Sequence, residues 1–457
     1  MKIITASKFY YHRAGLESYM FKISETLRSF GHEIIPFSTN YRENIKTGYD
    51  SFFAEYIDLG GDEKISSYDK VRALLKIFYN ADARNKFSQL LDYTQPDLVW
   101  GFGIHRHLSP SIFMEAKKRS IPVIHRLSDY AIICPDSRLT KGDNSNCDGL
   151  LCPLKGYHNA IINRCVRQAS PDNSSKNPSI LASAVGAAEL YLHNKFKFYV
   201  NNVDMFIAPS NFLRNIMIKS GIPEQKITHV PIYIDPAKYI PEFSSQPYFV
   251  YVGRLSREKG LPLLLNAMEK LRNHKLLIVG DGPQRAYLEQ VKEQKNLDNV
   301  EFLGKLYGED LNNVVKNSRF MVIPSTWYEN SPNVTLEAYS LGKPVLAAKI
   351  GGIPEYVEEN MTGLLYKHDY LEELAEKIDY LMSKSDLCND MGKEARHIVE
   401  SRYNPQNHYQ QLMNVIHNVT QPNLNLINTI DNIIESEQNI IRNSALERSR
   451  EIPWEKR

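Results

Sequence analysis

The sequence predicts an α/β protein with two parallel sheets, each covered by helices on both faces. Short apolar runs alternate with helical patterns along almost the whole chain, which is typical of parallel strands joined by helical crossovers. A polar, proline-containing passage at 235–247 interrupts the alternation, which restarts at Tyr248. A chain of 457 residues is also long enough for two domains.

The first half of the chain is expected to form one of the two sheets. Its strands are predicted at Lys2–Ala6, Glu33–Phe37, Leu98–Gly101, Pro122–Leu127, Asp204–Ser210 and Ile227–Pro231. Helices are predicted up to about Phe30, where Gly31 ends the first one, and at 69–91, 180–200 and Asn211–Lys219. Residues 131–178, which are rich in Cys, Asn, Ser and Pro, are predicted to be an insertion.

The second half predicts a sheet of its own. Its strands are expected at 248–253, 275–280, 299–303, 319–323 and 344–348, with helices between them. Helices are predicted to continue from about 370 to 418, and the final segment is predicted to be a polar helical tail.

Two carboxylates mark the most informative loop of the second half. Glu329 and Glu337 enclose the segment Glu-Asn-Ser-Pro-Asn-Val-Thr-Leu-Glu, which follows the strand at 319–323 and leads into a short helix. This order places both carboxylates outside the carboxyl end of a parallel sheet, where open α/β sheets bind ligands. Two acids there can bind sugar hydroxyls, and the helix start between them can bind phosphate.

The Glu-x7-Glu segment resembles the donor-site signature of retaining glycosyltransferase family 4, the glycosyl transferases group 1. Three further segments match the motifs of that family in the same order: Val252–Gly260, Val279–Pro283 and Gly351–Glu355. Together they cover roughly residues 248–370.

The resemblance implies a GT-B fold, in which two Rossmann-like domains face each other across a cleft and a C-terminal helix returns to the N-terminal domain. The domains are expected at 1–238, which binds the acceptor, and at 239–402, which binds the nucleotide sugar. Residues 403–457 are expected to form the return helix and tail. The implied function is a retaining transfer of sugar from a UDP- or GDP-sugar to a glycan or lipid-linked glycan, in bacterial surface polysaccharide biosynthesis.

The resemblance also assigns roles to residues of the second domain. Arg254 and Lys259 correspond to cations that contact the donor diphosphate, although two solvated cations in a loop are the alternative. Glu337 corresponds to the ribose-binding carboxylate, or else complements the helix dipole, and Glu329 corresponds to the carboxylate near the transferred sugar. The remaining predicted donor contacts are Gly282 and the helix start at Asn333, Val334 and Thr335.

The first domain matches the family less closely. Gly15 lies in the first strand–helix loop, where the lack of a side chain allows phosphate or acceptor to approach the backbone, or simply makes a turn. Ser128 stands where many members have histidine, and Asp129 follows it; either can bind a sugar hydroxyl. Among the nearby histidines, His105 is the favoured site residue over His107 and His125.

Four clustered cysteines, Cys134, Cys147, Cys152 and Cys165, present two alternatives. They are either thiols of an irregular insertion or the ligands of a structural zinc ion, for which only Cys147 and Cys152 have the usual close spacing. An odd total of five cysteines without an export signal argues against a disulfide framework. No Asp-x-Asp metal signature stands in a donor loop, so no catalytic metal is predicted.

Charge and hydropathy restrict the partners. The net charge of +2 implies no nucleic-acid partner, and the sequence shows neither a signal peptide nor an apolar run of membrane-spanning length. A cytoplasmic enzyme is expected. The apolar 180–200 segment with Lys195 and Lys197 is either a core helix or a peripheral contact with the inner face of a membrane. The oligomeric state stays open.

Two other functions remain open. A sugar-nucleotide epimerase with a similar two-domain fold would convert the donor without an acceptor. A protein that binds nucleotide sugars without catalysis is conceivable because Ser128 replaces the family histidine. A dehydrogenase is disfavoured because no Gly-x-Gly-x-x-Gly follows either first strand.

Overall fold

The computed structural model describes residues 1–13, 15–56, 75–169 and 176–421. Among them are two parallel six-stranded sheets, as predicted. The first sheet has the order β10-β9-β6-β5-β1-β2 and the second the order β13-β12-β11-β14-β15-β16. The strands of the first sheet are β1 (Lys2–Ser7), β2 (Glu33–Phe37), β5 (Leu98–Phe102), β6 (Val123–Arg126), β9 (Met205–Ala208) and β10 (Ile227–His229). Two small sheets pair β3 (Thr39–Asn40) with β4 (Ala54–Glu55) and β7 (Arg167–Ala169) with β8 (Lys176–Pro178).

The second sheet contains every predicted strand and one more. Its strands are β11 (Tyr248–Val252), β12 (Lys275–Val279), β13 (Val300–Gly304), β14 (Met321–Ile323), β15 (Val345–Ala348) and β16 (Gly363–Tyr366). The sequence prediction missed β16, a four-residue strand at the sheet edge that pairs in parallel with β15. A run this short has too little periodicity to be separated from a loop.

Helices cover both sheets. In chain order they are α1 (Gly15–Ser29), α2 (Ala81–Thr94), α3 (Ser111–Lys118), α4 (Leu151–Lys155), α5 (His158–Ile162), α6 (Ile180–Lys195), α7 (Phe198–Asn202), α8 (Asn211–Lys219), α9 (Leu261–Lys270), α10 (Arg285–Gln294), α11 (Gly308–Lys316), α12 (Asn333–Ser340), α13 (Leu371–Ser383), α14 (Ser385–Ser401) and α15 (Pro405–Thr420). Helices α4 and α5 and the β7–β8 pair belong to the predicted insertion.

Two predicted helices are interrupted. The helix expected at 69–91 lies partly outside the described residues, and its described part breaks before Asn80, whose side chain accepts a hydrogen bond from Ala83 N and begins α2. Capping by an asparagine side chain favours a new helix start over continuation. The apolar 180–200 segment forms α6 and α7, separated at Lys197, which has a left-handed φ of 52°.

The last described helix returns to the first domain, as the resemblance implied. Leu412 and Ile416 of α15 are fully buried in the same core cluster as Ile23 and Leu27 of α1. Tyr19 Oη lies 2.8 Å from His408 Nε2. Apolar burial and this buried polar contact together hold α15 on the first domain. The predicted tail beyond residue 421 lies outside the described residues.

Hydrogen bonds join the two domains directly. Tyr130 Oη donates to Tyr328 O at 3.0 Å, and Asn330 Nδ2 donates to Ser128 O at 3.0 Å. The first-domain loop after β6 is thereby joined to the second-domain loop after β14. The predicted domain boundary at 238/239 falls in the segment between β10 and β11.

Candidate functional site

An ion pair between Lys259 and Glu329 lies at the carboxyl end of the second sheet. Lys259 Nζ donates to Glu329 Oε1, and Ser325 Oγ donates to the same oxygen at 3.0 Å. Lys259 ends a short turn after β11, and Gly260 follows it with a left-handed φ of 73°. A Cβ at Gly260 would lie 1.7 Å from Pro324 O, so only glycine allows this turn to pack against the loop after β14.

The loop after β15 holds the backbone of Glu329. Gly352 N donates to Glu329 O at 2.6 Å, and a Cβ at Gly351 would lie 2.5 Å from that same oxygen. Burial raises the pKa of Glu329, but Lys259, Trp327 and Ser325 outweigh burial and bring the pKa below the ordinary carboxyl value. Glu329 is therefore a buried carboxylate that stays ionised because a cation and hydrogen-bond donors surround it.

Arg254 and Gly282 differ in their surroundings. Arg254 is exposed, and its guanidinium has no hydrogen bond or ion pair within the described part of the chain; Tyr251 Oη donates to Arg254 O at 3.0 Å and holds the backbone. Gly282 packs so closely that a Cβ would lie 2.4 Å from Leu255 O. Gly282 thus allows two loops to approach, while Arg254 is free to meet a ligand.

The helix start at Asn333 faces the first loop of the other domain. Helix α12 begins at Asn333 after Pro332. In its first turn Thr335 N donates to Pro332 O at 3.1 Å, and the backbone N–H groups of Asn333 and Val334, which precede it, have no carbonyl partner within the helix. A Cβ at Gly15 would lie 3.6 Å from Asn333 Nδ2. The structure therefore brings the start of α1, at Gly15, beside the start of α12 in the other domain, although the two lie far apart in sequence. The sequence prediction had Gly15 in the loop before this helix. Of the other two residues predicted there, Thr335 is fully buried and Val334 partly so.

Glu337 lies one turn further along α12. Burial raises the pKa of Glu337, and Lys22 of α1 offsets part of this rise. Burial lowers the pKa of Lys22, and Glu337 in turn opposes that change. Lys22 was not predicted as a site residue because its position in α1 carries no motif; only the approach of the two domains places it opposite Glu337.

The first-domain residues predicted to line the cleft lie in the loop after β6. Ser128 contributes its carbonyl oxygen to the bond with Asn330 described above. Burial raises the pKa of Asp129, while a 2.8 Å hydrogen bond from Ala131 N and the charge of Arg106 partly offset it. Asp129 therefore orders the loop through its hydrogen bond to the backbone, and the roles of both residues toward a ligand stay predictions.

His105 belongs to a buried polar group within the first domain. His105 Nδ1 lies 2.8 Å from Tyr199 Oη, and its ring meets His125 edge-on at 5.4 Å. Burial is the main cause that holds the pKa of His105 well below its usual range, and the neighbouring His125 and Arg106 lower this pKa further. His105 is therefore neutral at physiological pH, and its contacts with Tyr199 and His125 are structural.

Glu355 makes a contact that the sequence analysis did not assign. Its carboxylate accepts hydrogen bonds from Asn211 N and Phe212 N, both at 2.7 Å. These groups begin helix α8 of the first domain, where free N–H groups and the helix dipole favour a negative charge. Glu355 thus joins the loop after β15 to the other domain. The motif at Gly351–Glu355 signalled the residue but not this role.

The four clustered thiols lie near one another. Burial raises the pKa of the Cys152 thiol to about 12, and the charges of the neighbouring thiols Cys134, Cys165 and Cys147 add to this rise. All four are free of disulfides. Four thiols suit zinc chemically, but no group of three or more His, Cys, Asp or Glu in the described residues is arranged to hold a metal ion. The structural zinc ion stays a prediction.

Metal analysis of the purified protein tests that prediction. About one zinc ion per chain is expected in protein prepared without chelator, and a Cys147→Ser/Cys152→Ser variant is expected to lose it. A Cys388→Ser variant is the matched control, since this buried thiol lies in the other domain core. Metal-free wild-type protein with all five thiols titratable would instead support the thiol alternative.

Residues 237–398 match the family model described as Glycosyl transferases group 1. The sulfoquinovosyl transferase SQD2 of Arabidopsis thaliana is 32% identical over 183 residues, which cover 36% of this chain and 35% of that protein. The gpi3 subunit of phosphatidylinositol N-acetylglucosaminyltransferase from Schizosaccharomyces pombe is 22% identical over 369 residues, covering 78% of this chain and 67% of that protein. The chain thus spans only about a third of the first of these relatives.

Solved structures show the same fold. The Anabaena protein HepE in complex with UDP has a TM-score of 0.61 and 17% identity, with 91% of this chain and 99% of that chain covered. The fold is GT-B: two parallel-sheet α/β domains face each other, and the C-terminal helix packs on the first.

Proposed function

We propose that this chain, whose residues 237–398 match the family model of glycosyl transferases group 1, transfers a sugar from a nucleotide-sugar donor to an acceptor hydroxyl. One observation carries the proposal. The Lys259–Glu329 pair lies at the carboxyl end of the second sheet, and the helix start at Asn333, which follows Glu329 after the same strand, lies beside Gly15 of the first domain. A cation, an anion-binding helix start and a sugar-binding carboxylate are the groups that such a donor requires.

The proposed chemistry depends on charge that develops as the diphosphate departs. Arg254 and Lys259 are the cations that stabilise it, and the N–H groups of the α12 start donate to phosphate oxygens. Glu337 accepts hydrogen bonds from the ribose hydroxyls, and Glu329 accepts them from the transferred sugar. In this proposal the fixed protein charges supply the stabilisation, and no catalytic metal is assigned.

Retention of configuration is part of the proposal. Ser128 is neutral across the working pH range and cannot act as a general base. The departing phosphate is therefore the group proposed to accept the proton of the acceptor hydroxyl, on the same face of the sugar from which it leaves. We propose a UDP- or GDP-sugar as donor and a glycan or lipid-linked glycan as acceptor, in cytoplasmic synthesis of a bacterial surface polysaccharide; HepE, of the same fold, was solved with UDP.

A binding screen followed by product analysis tests the function. UDP-, GDP- and ADP-sugars are titrated into the protein, and the donor that binds is incubated with candidate acceptors. Release of nucleoside diphosphate with a glycosylated product of retained configuration supports the proposal. Conversion of the donor to its epimer without an acceptor would indicate an epimerase, and binding without turnover would indicate a non-catalytic protein.

Replacement of Glu337 by glutamine is expected to weaken nucleoside diphosphate binding about tenfold or more, because ribose hydroxyls lose a charge-assisted acceptor. Burial raises the pKa of Glu337, so wild-type affinity is expected to fall on acidification at a higher pH than an ordinary carboxyl would give. The variant should show a flatter pH profile. Calorimetric titration across the acid range measures both.

Glu372→Gln is the matched control, because Glu372 forms an exposed ion pair with Lys270 away from the site. Equal affinity and equal pH dependence in wild type and Glu337→Gln would show that Glu337 does not bind the ribose.

We also propose a peripheral contact with an anionic membrane surface, through what we call the α6 surface. Large apolar side chains, each more than half exposed, cover α6 and the adjoining α4 and α5: Leu154, Ile162, Ile180, Leu181, Tyr191 and Phe196. Lys155, Lys195 and Lys197 are exposed beside them, whereas the acidic Glu189 of α6 is buried and pairs with Arg106 at 3.2 Å. Exposed apolar groups with a basic rim favour anionic lipid headgroups.

No helix among the described residues is long and apolar enough to cross a bilayer.

Vesicle co-sedimentation tests the α6 surface. The protein is expected to bind vesicles that contain phosphatidylglycerol and to bind pure phosphatidylcholine much less, since the basic rim attracts anionic headgroups. A Leu181→Ser/Phe196→Ser variant should lose most of the binding. Ile240→Ser, at an exposed apolar position outside this surface, is the control. Binding that is insensitive to lipid charge, or unchanged in the double variant, would contradict the proposal.

A further inference from the structure

A groove separates the insertion from the second domain. Two adjoining cavities of about 710 Å³ and about 300 Å³ share the lining residues Asn144, Ser145, Asn146, Arg257 and Thr326. One wall is the loop at 140–146 of the insertion. The other is formed by the turn after β11, the start of α10 and the loop after β14. The larger cavity has the size of a small-molecule binding site.

The insertion wall is held in place by its own hydrogen bonds. Arg167 Nη2 donates to Lys141 O at 3.0 Å and also bonds the side chain of Asn144. A Cβ at Gly142 would lie 2.5 Å from Asn163 O, so the loop packs tightly on the insertion. Asn146 Nδ2 donates to Thr326 O at 2.8 Å and joins the two walls at one point. A groove with walls ordered in this way needs little rearrangement to bind a ligand.

The groove lining combines amides, hydroxyls and aromatic rings with balanced charge. Arginines 138, 167 and 257 are offset by Asp143, Glu258 and Asp369. Tyr287 is half exposed at the groove, and Trp327 lines its other end. The Arg257 guanidinium is exposed and has no hydrogen bond or ion pair among the described residues. Hydrogen-bond donors and acceptors, with positive and negative side chains in balance beside aromatic faces, fit a neutral polyhydroxylated molecule better than a polyanion.

The groove adjoins the candidate reaction site. Trp327 lines the smaller cavity, and Lys259 Nζ lies 5.8 Å from the centre of its ring. Arg257 opens the same short turn that Lys259 ends. A ligand that extends outward from Glu329 past Trp327 would therefore lie between the insertion and the second domain.

We propose that this groove binds the non-reacting part of a neutral oligosaccharide, with Arg257 donating to its hydroxyls and Tyr287 packing against a sugar ring. That this oligosaccharide is the acceptor rests on the proposed function; carbohydrate binding by the groove does not. The insertion thereby supplies acceptor recognition to a fold whose donor site lies in the other domain.

Saturation-transfer NMR on the full chain tests the groove. The probe is a panel of linear oligosaccharides of neutral hexoses and N-acetylhexosamines, with sulfated counterparts as the anionic arm. Neutral members are expected to receive saturation from the wild-type protein. An Arg257→Ala/Tyr287→Ala variant is expected to bind the tightest of these oligosaccharides at least about tenfold more weakly than wild type. The variant loses charged donors and an aromatic contact. Glu293→Ala, exposed on the same helix as Tyr287, is the matched control.

Nucleoside diphosphate binding is measured on the same samples. Equal oligosaccharide binding by wild type and the double variant would overturn the groove assignment, as would a wild-type protein that binds no neutral member. Preference for the sulfated counterparts would overturn the charge argument. Wild-type protein that binds oligosaccharide but no nucleoside diphosphate would instead count against the proposed function alone.

Discussion

Lys259→Ala is expected to lower kcat/KM by roughly 10²–10³, the scale of removing a preorganised charge stabiliser. The structure adds a second cause. Lys259 is the cation that keeps the buried Glu329 ionised, so its removal should raise the pKa of that carboxyl and weaken its contact with the sugar. Steady-state kinetics with the identified donor measures the loss, and circular dichroism checks that the fold is kept.

Two variants accompany this measurement. Lys270→Ala removes an exposed lysine of the same domain, which pairs with Glu372 on the surface, and should leave kcat/KM near the wild-type value. Arg254→Ala should cause a loss similar to that of Lys259→Ala if both cations contact the diphosphate. Near-wild-type turnover in both the Arg254 and Lys259 variants would contradict the proposal that these cations contact the donor diphosphate.

Glu329→Gln is expected to lower kcat by about 10² while nucleoside diphosphate affinity changes little. The substitution keeps the shape of the side chain but removes the charge that strengthens hydrogen bonds to the transferred sugar and orients Lys259. Because Ser325 and the Gly352 backbone still contact the residue, the loop should stay in place. Single-turnover kinetics at saturating donor separates the transfer step from binding.

The pH dependence of stability gives an independent check on the same residue. The folded-state pKa of Glu329 lies below its unfolded value, so the ion pair stabilises the fold above the unfolded pKa. That contribution is lost as the pH falls through the folded pKa. Thermal melts should therefore show a smaller acid-side loss of Tm for Glu329→Gln than for wild type. Equal acid sensitivity together with unimpaired kcat would contradict the assigned role.

The sequence was sufficient for most of the fold because buried parallel strands leave a strong local signal. Runs such as Tyr248–Val252 and Val345–Ala348 are apolar throughout, since helices cover both faces of the sheet. The two errors in the sequence prediction also have local causes. The strand Gly363–Tyr366 is too short to show a period, and the helix break at Asn80 depends on a cap whose amide also donates to His107 O.

The residues predicted for the second-domain site come together for a similar reason. Lys259 follows β11, and Glu329 and Asn333 both follow β14, its neighbour in the same sheet; the carboxyl ends of parallel strands meet at one edge. The order of strands and loops therefore predicts that these residues converge. The order of strands and loops does not predict the hydrogen bond from Ser325 to Glu329. It also does not predict the glycine packing that holds the Glu329 backbone.

By itself the sequence determined the two-sheet α/β architecture, because this depends on periodicity and chain order. The return helix and the loops of the candidate donor site were predicted through the family resemblance of the motifs at roughly 248–370. Only the tertiary structure decided which groups face one another across the domains. Lys22 opposite Glu337, Gly15 beside Asn333 and Glu355 on the start of α8 join residues far apart in the chain. Such pairs depend on how two separately folded surfaces pack, and no local pattern of residues records that packing.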